Sequence, residues 1–235
     1  VFGAPGSGKT TIAKLLLRVF PEAKHIEASE AVIEPAFSVK QKLPKNEQEF
    51  VRTITKTYHK KTNISVCRDD ARNFFFFFKN RYSPSVIAKT LIHIQDVYFP
   101  DTFVVIAGIR GFRNATYFKK NGYLVLYLQT PNKDLSKRVA KREDFSIKEA
   151  EKEHHIEERI FATNMVAQIA HLSFNTALQS KKEIVDQIKS LVEVKECKRC
   201  INTSANMSNT IGVSGYCETC ERYVKNFNKN LLTKE

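Results

Sequence analysis

Gly3-Ala4-Pro5-Gly6-Ser7-Gly8-Lys9-Thr10 satisfies G-x-x-x-x-G-K-[ST] at every position. Glycines at this spacing let the backbone curl tightly, so that successive N–H groups point inward at an anion. A helix has to follow, because its orphan N–H groups and positive dipole end complete the anion site. Residues 11–20 supply one, with Ile12, Leu15, Leu16 and Val19 along one side. In such a loop Lys9 reaches the terminal phosphates and the Thr10 hydroxyl holds Mg²⁺. The expected ligand is a nucleoside triphosphate, ATP or GTP, cradled by the eight loop residues and Thr11. A loop of this kind follows a buried strand, and only Val1 and Phe2 precede Gly3, with no initiator Met. The sequence is therefore expected to lack the first few residues of the natural protein.

The 235 residues suit one domain of ordinary size plus a small appendage. Hydrophobic residues make up 42%, enough for a buried core. The Phe74–Phe78 run is short of the ~18 apolar residues of a membrane span. No secretory signal is seen, and a cytoplasmic setting without membrane contact is expected. A net charge of +13 permits binding to polyanions. Between residues 38 and 61 stand Lys40, Lys42, Lys45, Arg52, Lys56, Lys60 and Lys61 against Glu47 and Glu49. That stretch is either a solvated helix face or a phosphate-facing surface.

Apolar runs alternate with helical patterns, which predicts an α/β fold with a parallel sheet. Strands are expected at 1–2, 24–28, 102–107, 123–129 and 171–175. Residues 102–107 form a continuous β-branched and aromatic run, as a strand covered on both faces requires. Helices are expected over 47–60, 69–80, 85–98, 135–142, 148–170 and 181–192. Adjacent residues on a helix point about 100° apart, so His154 and His155 read as surface residues rather than as a metal pair.

Phosphoryl chemistry needs cations for the moving group and a carboxylate near the metal. Arg110 lies just past the C-terminal end of the strongest strand, the sheet edge where ligands bind in open α/β folds. Arg138 and Arg142 are four residues apart and share a helix face, which suits a clamp on phosphates; a solvated basic helix end is the alternative. Asp70, with Asp69, and Glu27, with Glu30, are the candidate carboxylates; either aspartate could instead cap a helix.

The order of these features resembles the nucleoside-monophosphate-kinase-like P-loop proteins over residues 1 to about 193. It runs from the P-loop helix through Val104-Val105-Ile106-Ala107-Gly108-Ile109-Arg110-Gly111 and Tyr117-Phe118 to a further strand, then Arg138-x-x-x-Arg142, an acidic helix and Ala170-His171. The nearest likeness is to the adenylate-kinase-like and dephospho-CoA-kinase-like group, where an Asp-Gly-x-Arg segment ends the third strand. The resemblance implies a P-loop three-layer fold with a mostly five-stranded parallel sheet. It also implies a lid over the phosphates and phosphoryl transfer from ATP to a nucleotide or nucleotide-like acceptor. Lys9, Arg110, Arg138, Arg142 and Asp70 would be the catalytic residues. The chain departs from the pattern at Ala107, where the group carries Asp, and at Asn114 and Thr116, where acids are common.

Cys197-Lys198-Arg199-Cys200 and Cys217-Glu218-Thr219-Cys220 form C-x₂-C-x₁₆-C-x₂-C. This spacing predicts a four-thiolate Zn²⁺ site in a small module over 195–235, after a nucleotide-binding domain over 1–194. Disulfides are the alternative, disfavoured without a secretory context. Such a ribbon resembles those that bind nucleic acid or dock a protein partner, and a purely structural cap is equally compatible. Cys67 is left over and reads as a buried thiol. Three functions follow as expectations. They are a small-molecule kinase, a nucleotide-dependent regulatory or nucleic-acid-binding protein, and a polynucleotide-end kinase that joins the two.

Overall fold

Five short parallel strands and the helices between them build an α/β fold, as the alternating pattern predicts. The computed structural model describes residues 1–59 and 66–192. The cysteine module, with Cys197, Cys200, Cys217 and Cys220, and the expected 194/195 domain boundary lie outside the described residues. Val1–Lys120 and Leu124–Val185 form one compact unit; of the other described residues, Asn121–Tyr123 and those from Asp186 onward belong to a second.

In the first unit β1 (Phe2–Gly3) runs through the glycine loop into α1 (Lys9–Val19), and β2 (Lys24–Glu27) follows. A π-helical turn, Ser29–Ile33, leads into α2 (Glu34–Ser38), then α3 (Glu47–Thr57), α4 (Arg68–Arg81) and α5 (Val86–Tyr98). The rest runs β3 (Val104–Ala107), α6 (Phe112–Lys120), β4 (Leu126–Gln129), the consecutive helices α7 (Asn132–Glu143) and α8 (Ile147–Phe161), β5 (Leu172–Asn175) and α9 (Lys181–Val192).

The expected five-stranded sheet is corrected in one respect. The strands pair as two parallel ladders, β1-β4-β5 and β2-β3. Between β3 and β1 the amino group of Val1 donates to Ile106 O at 2.7 Å. One hydrogen bond makes a seam, not a ladder, because β1 is only two residues long. The core strands are apolar on both faces, with Val105, Ile106, Ala107, Leu126, Tyr127 and Leu128 all buried.

A second correction concerns residues 148–170, expected as a single helix. The helix α8 starts at a capping box, Ser146 with Glu149, and stops at Ala162, whose φ is 48°. Its N–H closes on Glu158 O, and a 3₁₀ turn, Thr163–Gln168, takes over. Left-handed backbone usually announces itself as Gly or Asn. Here it falls on Ala, so the sequence carries no stop signal at that point.

Candidate functional site

The loop has the geometry its glycines predict. Gly8 sits at φ 92°, a left-handed N-cap for α1. No side chain caps that helix among the described residues, so its first-turn N–H groups face the loop mouth. The Ser7 hydroxyl is buried and has no hydrogen-bond partner among the described residues. Beside the loop lies a cleft of about 360 Å³, bounded by Gly6, Gly8, Thr11, Arg138, Thr176 and Lys181. Thr10 is exposed at the start of α1.

Lys9 folds back under the loop. Its Nζ donates to Gly3 O at 2.8 Å and to Ala4 O at 2.9 Å. Burial, then repulsion from Arg110, lowers its pKa to about 7; Glu157 and Glu27 pull it upward, and Arg142 lowers it slightly. Two arginines that lie far apart in the sequence thus act on the ammonium.

Arg110 follows β3 and donates through Nη1 to Glu157 Oε1 of α8 at 2.6 Å. Its guanidinium lies 5.7 Å from the centre of the Phe161 ring. Glu157 is only 3% exposed, so this ion pair is largely shielded from water. Asn114, buried in α6, donates to Arg110 O at 2.9 Å and accepts from Ala88 N at 3.1 Å. It fixes the backbone that carries Arg110 against α5. Glu157 and Asn114 were missed by sequence reasoning. Glu157 was one of many acids in α8, and only its burial sets it apart.

On α7, Arg138 Nη1 donates to Gly6 O at 3.2 Å, which brings this arginine to the loop. Arg142 Nε lies 2.8 Å from Glu143 Oε1. Both arginines are exposed, which suits a clamp and a solvated basic helix end alike.

Glu27 ends β2 directly opposite Ala107 of β3. Its carboxylate lies over Gly108, whose φ is 74°, and a Cβ at 108 would overlap it. Oε2 is 3.5 Å from His25 Nε2, and neither atom has a hydrogen-bond partner among the described residues. A carboxylate therefore stands one strand over from Ala107. Gly108 is required twice, by its backbone angle and by the carboxylate above it.

The other candidates stand elsewhere. Asp70 lies exposed in the first turn of α4, where its carboxylate accepts from Cys67 Sγ at 3.2 Å. Neither aspartate caps α4; the cap is Cys67, whose sulfur accepts from Asp70 N at 3.4 Å. Cys67 is exposed rather than buried, because it caps a helix end. Asp69 pairs with Arg72 at 2.8 Å. His154 corrects a third expectation: it is 8% exposed, with Nε2 3.0 Å from Asn132 Oδ1, while His155 is exposed. The α7–α8 packing covers one histidine of the pair, as their angular separation allows.

No family model and no curated protein sequence matches the chain. Among solved structures it is similar to a shikimate kinase from Acinetobacter baumannii crystallised with shikimate, at 15% identity, covering 81% of this chain and 89% of that one, with a TM-score of 0.48. It is also similar to an uncharacterized protein from Eubacterium ventriosum, at 13% identity, 80% and 93% coverage and a TM-score of 0.45. A Thermus thermophilus protein is 16% identical, with 80% and 91% coverage and a TM-score of 0.44. Identities this low establish no shared activity.

Proposed function

We propose that the chain binds a nucleoside triphosphate with Mg²⁺ on residues 3–11 and transfers its terminal phosphoryl group to a nucleotide or nucleotide-like acceptor. The observation that carries this reading is the geometry of the loop: Gly8 at φ 92° leaves the first turn of α1, among the described residues, without a side-chain cap at the loop mouth, with Lys9 folded beneath the loop and Arg138 on Gly6 O. Burial, then repulsion from Arg110, lowers the pKa of Lys9, a penalty that a bound polyphosphate would relieve. Lys9 and Arg110 would meet charge that develops on the moving group, and Arg138 and Arg142 would close over it. Thr10 offers its hydroxyl to Mg²⁺, which supplies charge neutralisation between the outer phosphates. Glu27 takes the part left open at Ala107, orienting the metal's water shell or accepting the acceptor's hydroxyl proton.

The test is a thin-layer screen with labelled ATP or GTP against nucleoside monophosphates, dephospho-CoA and 5′-hydroxyl oligonucleotides. Transfer to one acceptor class is expected, and Glu27→Gln is expected to slow it by roughly 10²-fold or more, with triphosphate affinity changed far less. A second reading, a nucleotide-dependent regulatory protein, is favoured by one observation: Ala107 is fully buried and apolar at the point where the resembling kinases carry Asp. Triphosphate binding without transfer to any acceptor would select it.

The four cysteines belong to the same proposal as a zinc centre, since thiolates in paired C-x₂-C knuckles are the donor set zinc takes in structural sites. Metal analysis of the full chain is expected to give one Zn²⁺, lost in Cys217→Ser, Cys220→Ser. A metal-free wild type purified without chelator would reject it.

A further inference from the structure

Between α4 and α8 lies another cleft, of about 270 Å³, lined by Phe76, Lys79, Ile156, Arg159 and Ile160. Nothing in the phosphoryl-transfer reading uses it. Its chemistry follows from how α4 distributes its five consecutive phenylalanines. Phe78 is fully buried, against Phe50, Phe74 and Tyr82. Phe75 packs edge-on to Phe161 of α8 at 4.7 Å, and Phe74 lies 4.9 Å from Phe37. Phe76 and Phe77 are left 43% and 42% exposed; the Arg81 guanidinium lies over the Phe77 ring, and Phe76 is the one that lines the cleft. Covering such a ring is favourable, so an open one over a cleft leaves stabilisation to a partner.

The partner's charge is set by the rim. Glu153 is paired with Arg72 and Glu157 with Arg110, so these acids of α8 are already neutralised. Lys79 and Arg159 make no ion pair among the described residues, and the Lys79 ammonium lies 5.8 Å from the Phe76 ring centre. The cleft thus offers a flat aromatic face, an apolar floor from Ile156 and Ile160, and cations from both helices. An acidic peptide would answer the cations but give the ring no flat counterpart. Duplex bases stay stacked on each other and present no free face. A single strand answers both, with one base on the ring and phosphates on the cations. The net charge of +13 favours the same partner.

We propose that the α4–α8 cleft is a single-stranded nucleic-acid binding site, with a base stacked on Phe76 and neighbouring phosphates held by Lys79 and Arg159. The proposal does not depend on phosphoryl transfer. The test is fluorescence anisotropy of labelled oligo-dT and oligo-U with the full chain at several salt concentrations, so that any contribution from residues 193–235 is common to wild type and variants. Phe76→Ala is expected to weaken binding roughly tenfold with the salt slope unchanged, because stacking releases no counterions. Lys79→Ala, Arg159→Ala is expected to flatten the slope of log K against log salt by about 1.4, close to 0.7 per lost phosphate contact. Thermal melts and triphosphate titrations of the same variants should match wild type, which separates failure of the cleft from failure of the loop. The proposal is overturned if wild type binds neither oligonucleotide at low salt, or if both variants bind as wild type does. A dimer in sedimentation that dissolves on Phe76→Ala would overturn it too, assigning the face to a second copy of the chain.

Discussion

Lys9→Met is expected to weaken triphosphate binding about a hundredfold or more and, at the same time, to raise the melting temperature of the ligand-free protein. The two effects share one cause. In the empty site the ammonium is buried under its own loop and repelled by Arg110, which brings its pKa from 10.5 to about 7. The unfolded chain keeps the ordinary value. Between pH 7 and 10.5 the unfolded state therefore binds the proton that the folded state sheds, so stability rises with pH across that window. Below pH 7 the folded protein carries the full penalty. Every tenfold loss of proton affinity on folding is worth about 1.4 kcal/mol, and the carbonyl bonds to Gly3 and Ala4 offset part of it. A net gain of a few kcal/mol for the methionine variant near pH 7 corresponds to a rise of roughly five to ten degrees. Binding shows the opposite sign. A bound polyphosphate restores the charged form, so wild type should take up nearly one proton per triphosphate at pH 8, read as a dependence of calorimetric heat on buffer ionisation enthalpy. Loss of the charge-assisted contacts should cost about a hundredfold in affinity or more. Unchanged affinity, or binding without proton uptake at pH 8, would remove Lys9 from the phosphate site.

The glycine-rich loop was legible because its physics is local. Glycines, a lysine and a helix start occupy one continuous stretch, and the positive φ values at Gly6 and Gly8 follow from it. The strands β3 and β4 were legible from their unbroken apolar runs, though each begins two or three residues later than the pattern suggested. What the sequence concealed is what tertiary contact decides. Glu27 was one of two acids after a weak strand. Only the β2–β3 register, which sets it opposite Ala107 and over Gly108, distinguishes it from Glu30, which is exposed. Asp70 had the right chemistry and an expected place near the phosphates, yet its carboxylate turns to the cap of its own helix. The acid that engages Arg110 comes from the other side, 47 residues on, in a helix so rich in charge that periodicity could not single it out.

That acid makes Arg110→Ala the most damaging single change in the site. Arg110 has two tasks in this fold, and the structure shows how to separate them. Its guanidinium neutralises Glu157, which is nearly inaccessible to water, and its charge also reaches Lys9. Removing the arginine takes a cation from a carboxylate that is only 3% exposed, and breaking a buried pair from one side costs about 3–5 kcal/mol. The variant is expected to melt roughly ten degrees below wild type. Lost turnover in that variant alone would therefore be ambiguous. Adding Glu157→Gln removes that carboxylate while keeping an oxygen acceptor of the same shape. The double variant is expected to recover most of the lost stability. On the proposed function it should still transfer phosphoryl groups at least roughly 10²-fold more slowly than wild type, because the cation proposed to meet the moving group is gone. Glu157→Gln by itself leaves that cation in place and should retain turnover, with the Lys9 pKa moved further down for want of a balancing charge. Thermal melts and single-turnover transfer on the three variants distinguish the outcomes. A double variant as fast as wild type would confine Arg110 to holding α8 against β3; a single Arg110→Ala variant as stable as wild type would mean that the Arg110–Glu157 pair does not hold the fold.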